Sequence, residues 1–388
     1  MGFELQVAVL ADHGAAPAEV EELLRYNENP FSVCAAGPVP LPLPDEPFVS
    51  AWEVYTAEAR RIGAGAVLLR VLPQLCFPIR AGISASPDYR AATRRGEAPD
   101  GLAAAGGLPL ERPELLEIVL HPSAAGRIPL LVSRHRQDFV RLVQALTGRN
   151  EPVPVPPTQG AAMVSGYVNW QRVGELRRAW EAAAPAVRGG GTWDGELARL
   201  AERRELYQDR FILLSDGPYS GVPAAALGLE EEEWRRRSLV IRREHECAHY
   251  LTRRLFGAMR YNALDELLAD FAGITAAAGG FRADWFLRFV GLEAFPRYRA
   301  GARLDLYRGK PPLSAGAFAV LHALLHAAAH GLERWDAGLP RPAGPLAVAI
   351  RLAAVATLRL EDLASAAAGA RLHAAHARAS ALLGGSPA

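Results

Sequence analysis

The stretch Arg243-Glu244-His245-Glu246-Cys247-Ala248-His249-Tyr250 decides how the rest of this chain is read, because it carries the pattern H-E-x-x-H inside a run with helical periodicity. Residues four apart lie one above the other on a helix face, so the imidazoles of His245 and His249 can reach one cation, and Glu246 between them can contact a water on that cation. That arrangement points to hydrolysis. The helical pattern runs over residues 231–256, and Gly257 is a natural C-terminal stop. A second helical run over residues 262–272 puts Glu266 and Asp270 on one face. Catalytic zinc takes three protein ligands, two histidines and a glutamate being a known set, and Glu266 fits as the third. A metal-bound histidine passes its other N–H to an outer carboxylate, and Asp270 is placed for that task.

The pair His245-Glu246-x-x-His249 and Asp265-Glu266-x-x-Ala269-Asp270 resembles the thermolysin-like gluzincin clan of zinc metallopeptidases, over about residues 240–272 only. The resemblance implies zinc ligands at His245, His249 and Glu266, a general base at Glu246 and a supporting carboxylate at Asp270. It implies nothing about the rest of the chain.

Two rival readings share these ligands. Two histidines and a carboxylate also form the facial triad of non-haem Fe(II) oxygenases that use a 2-oxoacid, and a closed coordination sphere would make the metal structural. Glu246 separates the first rival, because an oxygenase has no use for a carboxylate poised on the metal's water. The expected cofactor is therefore Zn2+, with Fe2+ as the alternative, and the expected substrate is a peptide or small amide. A tetrahedral oxyanion also benefits from a donor besides the ion. Tyr261, in the short connection between the two helices, is the first candidate. His322, His326 and His330 recur every four residues and would share one helix face.

Composition sets the outer bounds. The chain has 388 residues, 50% hydrophobic and 22% charged, enough for a sizeable core and two lobes. A net charge of +1 advertises neither nucleic acid nor an anionic membrane as partner. Three cysteines, Cys34, Cys76 and Cys247, are too few and too scattered for a disulfide framework and suit a reducing compartment. Cys247 sits roughly 200° around the helix from both histidines and should face the core. The first residues lack a basic, then apolar, leader pattern, and charged residues interrupt the apolar stretches near the C-terminus. The chain is expected to be cytoplasmic. Gly82-Ile83-Ser84-Ala85-Ser86 lacks the final glycine of a nucleophile elbow, and no phosphate-binding glycine pattern opens a helix.

The expected fold class is α+β, with a mixed α/β N-terminal lobe over 1–149, a Pro-rich linker over 150–158, and a mainly helical zincin-like domain over 159–388. Within the lobe, 67–72, 116–120 and 128–132 read as strands, 51–62 and 137–146 as helices, and 96–113 as an extended loop. Beyond it, 167–184 and 195–207 read as helices, and 211–215 as a short strand that could sit at a sheet edge and pair with an extended substrate. Further helices are expected over 282–290, 315–335, 346–356 and 370–382.

Overall fold

The computed structural model describes residues 2–31, 39–183, 191–259 and 262–383. The fold is α+β: helices dominate, and four strands form one small mixed sheet. The chain divides into two compact units, one made of residues 1–44, 123–125 and 218–388, the other of 45–122 and 126–217.

The second unit is built on the sheet, in the order β1-β2-β4-β3. β1 (Leu116–His121) runs antiparallel to β2 (Ile128–Ser133), which runs parallel to β4 (Gln208–Ser215); β4 pairs antiparallel with β3 (Ala161–Val168). Position decides burial. Every residue of the inner strand β2 is buried, whereas the edge strand β1 starts with alternate residues buried and exposed. Trp52, Tyr167 and Phe211 pack over β4, and the indole N–H of Trp52 donates to Asp209 Oδ2 at 2.9 Å.

Several expectations are corrected here. Residues 150–158 do not separate two domains: β4 follows that stretch yet pairs with β2, which precedes it, and β3 joins the same sheet through β4, so 150–158 lies inside the second unit. The first 31 residues do not belong to the mixed lobe either. Asn29 Nδ2 donates to the carbonyls of Ala356 and Leu358 at 2.8 and 2.7 Å, and Asn27 Nδ2 donates to Glu361 at 2.9 Å, which ties the helices Phe3–Asp12 and Pro17–Tyr26 to the helical unit. Residues 67–72 are not a strand. Helix Ala64–Val71 buries Ala64, Val67, Leu68 and Val71, a spacing of three and four, and starts after Gly63, whose φ of 88° ends the preceding helix Val49–Ile62. Tyr167 and Val168 close β3, and the helix that follows begins only at Trp170, with Asn169 Oδ1 accepting from the N–H groups of Gln171 and Arg172. The segment 211–215 belongs to β4, flanked on both sides, so it has no free edge to offer a substrate.

The first unit is helical. Helix Ala315–Ala337 packs against Pro17–Tyr26, Ala283–Val290, Leu360–Ala364 and Ala368–Leu383. By length and hydropathy it is long and apolar enough to cross a membrane, and 61% of its apolar window is buried inside the protein. At the centre lie the motif helix, Glu231–Phe256, and the acidic helix, Ala263–Ala278. The first carries three glutamates in its first turn, two arginines in its last turn and a left-handed Gly257 cap, each complementing the helix dipole or closing the terminal carbonyls. The second starts at Asn262, whose Oδ1 accepts from the Asp265 N–H at 3.2 Å, and every residue from Ala263 through Thr275 is buried. The two helices cross so closely at Gly273 that a Cβ there would lie 2.6 Å from the Ile241 carbonyl oxygen.

Candidate metal centre

His245, His249 and Glu266 converge. His245 Nε2 and His249 Nε2 are 3.2 Å apart, and they stand 3.7 and 3.6 Å from the two carboxylate oxygens of Glu266. Donors at about 2.0–2.1 Å from a tetrahedral zinc ion are about 3.3–3.4 Å from one another, so each of these separations lies within about 0.4 Å of the spacing a single ion sets. All three side chains are buried, and the donor set is of the type zinc favours.

The orientation of His245 is fixed from behind. Its Nδ1 lies 2.9 Å from Asp270 Oδ1, and this hydrogen bond selects the tautomer that carries the proton on Nδ1 and turns the Nε2 lone pair toward His249 and Glu266. Asp270, fully buried, is held in turn by two residues from other parts of the unit. The Tyr219 hydroxyl donates to Oδ1 at 2.6 Å, and Arg303 Nη2 pairs with Oδ2. Arg303 Nη1 also donates to the Tyr219 hydroxyl at 2.8 Å and to Ser220 Oγ at 3.2 Å. Burial opposes the Asp270 charge, but Arg303 and then His245 outweigh it, and its carboxyl sits below the usual range. Burial pushes the Tyr219 phenol well above its ordinary value, so it remains a donor.

Without an ion, His249 and Glu266 form an ion pair. Burial pulls the His249 imidazolium down, but the Glu266 carboxylate 3.6 Å away wins and raises it to about 9. Burial likewise works against Glu266 ionisation, and His249, His245 and Arg303 bring it down to about 2. Tyr307 is on the same short turn as Arg303, and burial, then the charge of Glu266, pushes its phenol well above its ordinary value.

Glu246 is half-buried and takes no hydrogen bond or ion pair among the described residues. Tyr261 lies outside the described residues, as does Cys34. His322, His326 and His330 do share one helix, but their contacts lie elsewhere. His322 packs between the rings of Tyr298 and Phe318, His326 stacks on Phe295 at 4.4 Å, and His330 stands 3.8 Å from Glu333. None of these contacts reaches the cluster. Asn169 Nδ2 donates to Asp209, and Trp170 donates to the Thr93 carbonyl, so both side chains are engaged within the second unit.

Sequence reasoning missed Tyr219, Arg303 and Tyr307. They stand 26 residues before His245 and 33 and 37 residues after Asp270, in irregular segments with no motif of their own. The only signal was indirect: Asp270 needed a partner if it was to be buried as a carboxylate.

The chain matches the model of a family of unknown function (DUF7005) over residues 8–367 and belongs to that family. No curated protein and no solved structure matches it.

Proposed function

From membership of a family that carries no assigned chemistry, we propose that this protein is a zinc-dependent hydrolase of the gluzincin type, acting on a peptide or small amide. The observation that carries the proposal is the convergence of the His245, His249 and Glu266 donors at 3.2, 3.7 and 3.6 Å, beside a Glu246 that is unpaired among the described residues. His245, His249 and Glu266 would hold the ion, and Asp270 keeps His245 in the binding tautomer. A zinc ion in this position lowers the pKa of water toward neutrality and polarises a carbonyl.

The remaining chemistry belongs to the chain. Glu246 takes a proton from the attacking water as its oxygen bonds to the amide carbon, and returns that proton to the nitrogen as the C–N bond breaks. Arg303 with Tyr219 keeps Asp270 charged and in place. Two free thiols, Cys76 and Cys247, support a cytoplasmic setting.

The test is metal analysis of protein purified without added metal, followed by hydrolysis of a mixed peptide pool by wild type and Glu246→Gln. One zinc per chain in both, with cleavage by the wild type only, supports the reading. Iron together with consumption of a 2-oxoacid under oxygen, or metal-loaded wild type that leaves every peptide and amide intact, overturns it.

A further inference from the structure

The reverse side of the motif helix carries a second feature. A pocket of about 360 Å³ opens between the motif helix, the acidic helix and helix Pro345–Ala356, at the lower end of the range for small-molecule sites. Its floor holds Cys247 and Leu251, each two residues beyond a histidine of the metal centre and hence roughly 200° away around the helix. Ala272, Val348 and Leu352 complete an apolar wall.

Two polar features face this apolar space, and Thr275 adds an apolar contact to its wall, its hydroxyl oxygen being sealed off from the cavity. Arg341 lines it as well and forms no hydrogen bond or ion pair with the described residues. The helix Pro345–Ala356 begins there at Gly344 and Pro345, with no side chain capping its first N–H groups. The other charged lining residues, Arg243 and Glu244, pair with each other at 2.7 Å. The uncompensated charge is therefore positive, and the helix N-terminus adds to it.

We propose that this pocket binds an amphiphilic monocarboxylate, a medium-chain alkanoate in chemical class. Its chain lies against Leu251, Ala272, Val348 and Leu352, and its charge is taken by Arg341 and the open helix N-terminus. The site is separate from the metal centre and stands whether or not that centre is catalytic.

The test is calorimetric titration of the full chain with dodecanoate below its micelle concentration, and with dodecanol as the uncharged counterpart. One dodecanoate per chain is expected, with dodecanol weaker. Arg341→Ala should weaken dodecanoate about tenfold or more. Arg341 is exposed, so its removal leaves the fold intact, which a matching circular dichroism spectrum and an unchanged metal content would verify. Filling the pocket by Leu352→Trp should abolish binding. Dodecanoate that fails to saturate a single site, dodecanol that binds as tightly, or Arg341→Ala that binds dodecanoate as wild type does would each overturn the assignment.

Discussion

Gly273→Ala is the sharpest single perturbation of the helix pair that builds the metal centre. The added Cβ would meet the Ile241 carbonyl oxygen at 2.6 Å and Ile241 Cγ2 at 3.0 Å. The first neighbour is backbone, so no rotamer change relieves it. Restoring ordinary contact at about 3.4 Å requires the helices to part locally by about 0.8 Å. Overpacking of this kind costs about 1–3 kcal/mol, and the rigid neighbour places this site at the upper end. Alanine recovers about 1 kcal/mol over glycine through helix propensity, which leaves a net loss of about 2 kcal/mol. Ile241 precedes His245 by one turn, and Gly273 follows Glu266 by two, so the separation also strains a ligand triangle that tolerates about 0.2 Å. Urea denaturation of the metal-free protein measures the first effect, and zinc competition against a chelator the second, where at least about tenfold weaker binding is expected. Gly174→Ala is the control. That residue sits in helix Trp170–Ala182, and its Cβ would meet only the tip of Arg178 at 3.9 Å, so it should be neutral or stabilising by up to about 1 kcal/mol. A Gly273→Ala protein as stable as wild type, with unchanged zinc affinity, would refute the reasoning.

Glu246→Gln should lower kcat by about 10²–10⁴-fold while metal content stays at the wild-type level, checked by elemental analysis beside a peptidase assay. Arg303→Met strands the Asp270 carboxylate in a fully buried site and should destabilise the chain by about 3–5 kcal/mol in denaturant titration; pairing it with Asp270→Asn should recover a large part of that loss. In the metal-free protein, His249 is raised from 6.5 to about 9, so its contribution is complete below pH 6.5 and is lost as pH rises through 9. Glu266 is lowered from 4.5 to about 2, so its contribution is complete above pH 4.5 and is lost as pH falls through 2. Thermal melts in chelator should therefore decline between pH 6.5 and 9, a decline absent with zinc bound. Zinc binding at neutral pH should release the His249 proton to an indicator dye, and melts that stay flat over that range in chelator would contradict the ion pair.

The segments that form the candidate metal centre were legible because their information is local. The i, i+4 spacing of His245 and His249 and the i, i+4 pair of Glu266 and Asp270 each lie within one or two helical turns, where backbone geometry alone fixes which side chains share a face. Residues 231–256 read as a helix for the same reason, with Gly257 marking the C-terminal limit. Short apolar runs carry less. Residues 67–72 suit a strand or a buried helix equally by composition, and the choice fell to Gly63 and to the face that Val67, Leu68 and Val71 bury in the second unit.

Sequence by itself thus determined which residues can hold a metal and on which helices they ride. Tertiary structure decided that the two helices approach closely enough, at Gly273, for His245, His249 and Glu266 to meet around one point. It also decided what stands behind them, Tyr219 and Arg303 on Asp270, and Tyr307 beside Glu266. Helical periodicity reaches only a few turns along the chain, whereas the partners of a buried carboxylate are chosen by packing across dozens of residues, and the interval between them carries no pattern that records the choice.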